Sequence, residues 1–198
     1  CDDREESTLP ASLTEVTGEV DEYGNRTGLF EGLYYLTKVT FAEGSRCVEI
    51  GPGAFANSSL SEITLPASLT TIGHSAFRGT ELESIVIPRT VTRIDAYAFY
   101  NTSLSEVQLG AGLTTLADSV FAYTYLESIT LPASLTSLPP TAFAARSYFP
   151  DNPLAPGNTS FALVALTLFP AEHIPIPLHP PTTVTSLIPT PILRSPTT

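Results

Sequence analysis

Lysine is almost missing from this sequence, methionine and tryptophan are missing altogether, and no long apolar run interrupts it. Lys38 is the only lysine, and nine Lys and Arg face 20 Asp and Glu, a formal net charge of −11. Nucleic-acid binding needs clustered cations that displace counterions from phosphate, so that partner class is excluded. The longest apolar stretch, residues 161–169, is about half the roughly 20 residues that a membrane helix requires. Two cysteines, Cys1 and Cys47, are too few for a disulfide framework. Neither has a second cysteine or a histidine at zinc-ligand spacing, so no metal is expected. Without a methionine, the chain is expected to be a mature or trimmed form. His74, His173 and His179 lie in a turn and a proline-rich tail, and His74 reads as a surface residue. No nucleophile elbow, phosphate loop or paired carboxylates stand out, so no catalytic residue, no cofactor and no enzyme activity are expected.

What is present is a repeat. Residues 60–81, 82–103, 104–125 and 126–147 align as four units of 22 residues, and a fifth, 36–59, carries two extra residues between Phe41 and Cys47. That insertion places Cys47 where the later units have Leu69, Val91, Leu113 and Leu135. Upstream, the segment from Leu9 to Leu13 copies Leu65 to Leu69, which predicts an irregular first unit. Within a unit the apolar positions are Leu60, Ile63, Leu65, Leu69, Ile72 and Phe77. The alternation from Ile63 to Leu65 is strand spacing, and the proline at 66, 88 and 132 stops the strand because it cannot donate to a ladder. The reading predicts parallel pairing of 60–65, 82–87, 104–109 and 126–131. It also predicts a second short extended piece from Leu69 to Ile72, and one buried column of Phe77, Phe99, Phe121 and Phe143. A single unit buries too little to offset the ordering of its backbone, so the units must stack.

The form L-x-x-I-x-L-P-x-x-L-T-x-I-x-x-x-A-F resembles the BspA-like leucine-rich repeats of bacterial, and some protist, surface proteins. The resemblance covers about residues 36–147. It implies a mostly β, α/β-type leucine-rich-repeat solenoid: right-handed, with a parallel β-sheet, short turns and few helices. Family members often carry cysteine or asparagine a few positions after the Phe; here Ser58, Thr80, Thr102 and Thr124 stand there. A ladder of hydroxyls can satisfy turn backbone equally well.

The chain thus divides into an acidic N-terminal segment with an irregular first repeat (1–35), leucine-rich repeats of 22–24 residues (36–147), and a proline-rich tail (148–198). Residues 1–31 hold nine acidic groups against Arg4 and Arg26. The opening Cys1-Asp2-Asp3-Arg4-Glu5-Glu6 resembles a mature bacterial lipoprotein, in which Cys1 is the lipid attachment site and the acidic residues act as a surface-export signal. The resemblance implies an outer-membrane-anchored lipoprotein at the cell surface, touching the membrane only through that anchor; the alternative is secretion. Eleven of the 49 residues from 150 onward are proline. The tail reads either as a linker, as a degenerate cap with a strand near 166–171, or as a disturbed reading frame.

Two surfaces are candidates for binding a protein of a host or neighbouring cell. One is an edge of aromatic turn residues, Tyr97, Tyr100, Tyr123 and Tyr125, because tyrosine combines large contact area with low ordering cost. The other is an acidic strand face of Glu62, Glu83, Glu106 and Glu127, staggered from unit to unit so that like charges avoid stacking. The expected function is protein binding or adhesion without catalysis. The alternative is a structural or spacer module with no dedicated ligand. Replacing Cys1 by Ser in the full precursor is expected to release the protein from membranes; unchanged retention on fractionation removes the anchor from this reading.

Overall fold

The computed structural model describes residues 5–18, 27–126, 128–139, 141–144 and 175–177. Cys1, Glu127 and the 166–171 strand expectation lie outside them. Twelve strands are described and no helix: β1 (Glu5–Leu9), β2 (Glu15–Val16), β3 (Leu36–Phe41), β4 (Glu49–Ile50), β5 (Glu62–Ile63), β6 (Thr71–Ile72), β7 (Ser84–Val86), β8 (Arg93–Ile94), β9 (Glu106–Gln108), β10 (Thr115–Leu116), β11 (Ser128–Thr130) and β12 (Pro175–Pro177). Odd-numbered and even-numbered strands up to β11 form two separate faces, so each coil contributes one strand to each. Every pairing among these repeat strands is parallel, and from β6 onward paired residues such as Thr71, Arg93 and Thr115 are one 22-residue unit apart. This is a solenoid, and its coil is the sequence repeat.

The two faces differ from expectation in their continuity. The first-strand face divides into a β1-β3-β5 sheet, a β7-β9 pair, and β11 paired antiparallel with β12. The unbroken parallel sheet is the second one, β10-β8-β6-β4-β2, extended by a bridge from Thr115 to Ser137. The reason lies in spacing. Leu60 and Ile63 are three apart and both buried, which breaks a period of two, so only the short run before the proline is regular strand. The second sheet is reinforced by side chains: Thr70 Oγ1 donates to Val48 O at 2.9 Å, Thr114 Oγ1 to Thr92 O at 3.2 Å and Thr136 Oγ1 to Thr114 O at 3.0 Å.

The core between these faces is a single cluster running from Leu9 to Ala142. Cys47 is buried at the leucine position, as the insertion in its unit predicts. The irregular first unit stacks as well: β1 pairs with β3, β2 with β4, and Leu9 and Val16 are buried. Along the third side of each coil the phenylalanines form a stack with centroids 5.1–5.7 Å apart and planes within 10° of parallel. Phe55, Phe77, Phe99 and Phe121 are fully enclosed, while Phe30 extends the stack upstream and Phe143, at the far end, is only half-buried. Each hydroxyl after the phenylalanine closes its turn. Ser58 Oγ donates to Phe55 O, and Thr80, Thr102 and Thr124 donate in the same way to Phe77, Phe99 and Phe121, at 2.7–3.0 Å.

Phe99 sits mid-stack with a ring on either side, so Phe99→Ala leaves a cavity that neither neighbour can fill. The expected loss of unfolding free energy is about 3–5 kcal/mol in a denaturant titration; a loss below about 1 kcal/mol would mean that the stack is not the core.

Candidate functional site

The turn that inserts each phenylalanine needs two backbone reversals. The residue two before the ring has positive φ in four successive coils (Gly53, Ser75, Tyr97, Ser119), and so does the residue two after it (Asn57, Gly79, Asn101, Tyr123). These conformations aim alternate N–H groups along the solenoid axis. Ser75, Phe77 and Gly79 donate to Ala96 O, Ala98 O and Tyr100 O of the next coil, and Tyr97, Phe99 and Asn101 repeat the pattern one coil later. Glycine occupies left-handed positions at no steric cost and asparagine at a modest one, whereas other side chains, serine and above all tyrosine, meet a penalty of about 1–2 kcal/mol. Tyr97, at φ 60°, and Tyr123, at φ 63°, stand at such positions.

Those strained positions hold the aromatic edge. Tyr97 packs edge-on to Tyr100 at 5.5 Å, and Tyr100 meets Tyr123 at 5.0 Å with a 51° tilt, so three of the four expected tyrosines form one strip. Tyr125 stands at the exit of the turn instead, its N–H donating to Leu104 O at 2.8 Å and its ring more than half exposed. The strip continues through His74, exposed as its sequence position predicts, and through Arg78, which the sequence reading does not single out. His74 lies edge-on to Tyr97 at 5.5 Å, and the Arg78 guanidinium sits over the Tyr100 ring at 5.6 Å. Arg78 and Tyr100 are one repeat apart, so applying the 22-residue period to polar residues reveals their contact. Tyr97, His74 and Arg78 are exposed; Tyr100 and Tyr123 are half-buried.

The acidic face is less concentrated than its sequence suggests. Lys38 lies opposite Glu6 on one side and Glu62 on the other, and its Nζ bonds Glu62 at 2.9 Å. The hydrogen bond and charge of Glu62 raise the Lys38 pKa. Glu106 accepts from Gln108 Nε2 at 3.4 Å, and Glu83 is exposed on the neighbouring strand side, its backbone carbonyl accepting from Ser105 N–H. A groove of about 510 Å³ beside Glu106 is lined by Gln108, Ile129, Thr130 and Ser134, with no aromatic ring. Cys47 behaves as a core residue: burial pushes its thiol up, and Sγ donates to Glu49 O at 3.4 Å. Among the described residues no group of three or more His, Cys, Asp or Glu is placed to hold a metal ion.

A 22-residue coil of this build has known counterparts. The family pattern described as the BspA type leucine rich repeat region matches residues 26–149, in six copies. The chain belongs to the BspA-type leucine-rich-repeat family. One structural neighbour is a leucine-rich repeat protein from Bacteroides ovatus, 30% identical over 66% of this chain, with a TM-score of 0.53. A second, the pneumococcal vaccine antigen PcpA, is 27% identical over 66% of this chain and 40% of its own, with a TM-score of 0.37. This BspA-type chain spans about a third (32%) of the length of the Bacteroides protein. No curated protein matches it.

Because Tyr97 and Tyr123 hold a backbone conformation better suited to glycine, Tyr97→Gly and Tyr123→Gly are each expected to leave unfolding free energy unchanged or raised by up to about 1 kcal/mol. A loss above about 2 kcal/mol in either variant would make the rings part of the scaffold and not of a contact surface.

Proposed function

We propose that this leucine-rich-repeat chain is a cell-surface binding or adhesion module whose protein partner, from a host or neighbouring cell, docks on the tyrosine edge. The observation that carries this reading is a contiguous strip of rings along the turns, Tyr97 exposed and Tyr100 and Tyr123 half-buried, with Tyr97 and Tyr123 held where glycine would be more stable. Strain kept at an exposed position points to a use outside the fold. Tyrosine and arginine also dominate the energetics of protein interfaces. A spacer role would leave these turns free of rings, as in the other coils, which carry glycine or serine at the position of Tyr97 and glycine or asparagine at that of Tyr123. The exposed glutamates Glu62, Glu83 and Glu106, with the charge of Glu127 added by the sequence, steer a partner of opposite net charge. Anchoring at the surface through Cys1 belongs to the same proposal and has its own test in the Cys1→Ser precursor.

Surface plasmon resonance with host extracellular proteins over the immobilised chain is the direct experiment. The Tyr100→Ala, Tyr123→Ala double variant should weaken capture by about 2 kcal/mol or more without comparable loss of stability. Association should slow as ionic strength rises and the screening length falls toward about 8 Å and below. A partner whose affinity ignores both the tyrosines and salt binds elsewhere on the chain.

A further inference from the structure

We infer that β12, Pro175–Pro177, is a guard strand: it closes the far edge of the first-strand face and, having no outward N–H, refuses pairing to any further strand, that of a second copy of this chain included. The hazard it answers differs between the two ends of that face. At the leading edge β1 begins with Glu5 and Glu6, both exposed, and like charges on an edge strand repel an incoming copy. β11, Ser128–Thr130, carries no charge. Left bare, its edge would be a row of unpaired N–H and C=O groups, the template on which chains associate edge to edge. The direction of that edge follows from the coils before it. Glu83 O accepts from Ser105 N–H, and Ile87 N–H donates to Gln108 O, so these two residues of one coil face the next. Backbone groups alternate sides along a strand, so Ile85, midway between them, faces the same way. Ile129 is the equivalent of Ile85 two coils on, so it faces away from β9, which adjoins β11 on the near side. By pairing with Ile129, β12 takes the place that a following coil's strand would hold.

Proline chemistry then fixes which way β12 faces. Its antiparallel pairs are Ser128 with Pro177, Ile129 with Ile176 and Thr130 with Pro175. In such a ladder alternate pairs exchange both of their N–H···O bonds. Proline has no N–H, so neither proline pair can be the bonded one, and the pair of Ile176 with Ile129 must be. Ile176 therefore turns its N–H and C=O toward β11, and the backbones of Pro175 and Pro177 turn outward. The outer side of the strand is left with two carbonyls and no donor. A strand laid against it finds acceptors only, so each carbonyl it turns inward stays unpaired, in parallel and antiparallel alignment alike. The two prolines thus stand at the one register in which β12 can receive a pairing and not pass it on. Both exchanged bonds run through Ile176, so the guard hangs on a single residue.

Three variants of the whole chain separate the parts of this assignment. Pro175→Ala with Pro177→Ala restores two outward donors and leaves the bonds of Ile176 in place. Ile176→Pro removes the inward donor and uncovers β11. Pro153→Ala with Pro156→Ala changes the proline content of the tail outside the strand. Light scattering after size exclusion, over a concentration series, is expected to show the first two associating at a concentration about tenfold or more below that of the wild type, with a gain of intermolecular β-sheet absorption in the infrared. The third should match the wild type. On dilute, unassociated protein, hydrogen exchange of the Ile129 amide should be about tenfold or more faster in Ile176→Pro and unchanged in the Pro175→Ala, Pro177→Ala variant. An Ile129 amide indifferent to Ile176→Pro overturns the pairing and the guard together. Association no greater than wild type in either edge variant, or equally increased by Pro153→Ala with Pro156→Ala, overturns the guard alone.

Discussion

Everything in this fold answers to one length, the rise from a coil to the next. Parallel strands fix it at the hydrogen-bonding distance of about 4.8 Å, and no other element can impose a different one. The phenylalanine stack follows at 5.1–5.7 Å, slightly longer than ideal ladder spacing and within the range of favourable offset ring contacts. The threonine and hydroxyl ladders also repeat at this rise, and so do the turn bonds. A side chain placed at any position of one coil meets its equivalent in the next at nearly contact distance. That is why a single aromatic substitution in a turn does little, while two in successive coils make a continuous surface.

The same constraint explains how much of the molecule could be read from its sequence. The period of 22 specified the coil, its two extended segments and the buried phenylalanines, because apolar residues recur where burial demands them. It also located Cys47 correctly despite the insertion in that unit. Phe30 escaped notice because the first unit departs from the common length, so its ring has no aligned equivalent. The division of the first-strand face was hidden by the three-residue gap between Leu60 and Ile63, which the alternating Ile63 and Leu65 disguised. The left-handed turn positions were hidden for a different reason: Gly53, Asn57, Gly79 and Asn101 signal them by composition, while Ser75, Tyr97, Ser119 and Tyr123 occupy the same backbone with side chains that give no hint of it.

Of the site, the tyrosines were legible as a group and their geometry was not. Tyr97, Tyr100 and Tyr123 adjoin because their positions, before, beside and after the ring, are neighbours across coils. Tyr125 shares their spacing in sequence but belongs to the strand entry, on a different side of the coil. His74 looked isolated because a lone histidine in a turn carries little information by itself. Its meaning comes from the next coil, where the adjacent position is a tyrosine. The acidic residues illustrate the converse. Their alternation along the sequence survives in the structure as Lys38 opposite Glu62 and Ser84 opposite Glu106, an arrangement that lowers repulsion as much as it creates a field.

Within the body of each phenylalanine turn the hydrogen bonds between coils run one way. From Phe30 to Tyr123 the donor belongs to the earlier coil and the acceptor to the later one. A stack wired in this fashion has a head and a tail in the electrical sense: its leading turn presents carbonyls and its trailing turn presents amides. Terminating structures for the two ends are therefore chemically distinct and cannot be exchanged. Coils inserted between them meet the same polarity above and below, so the array can grow or shrink in its interior by whole units, carrying the docking edge along unaltered.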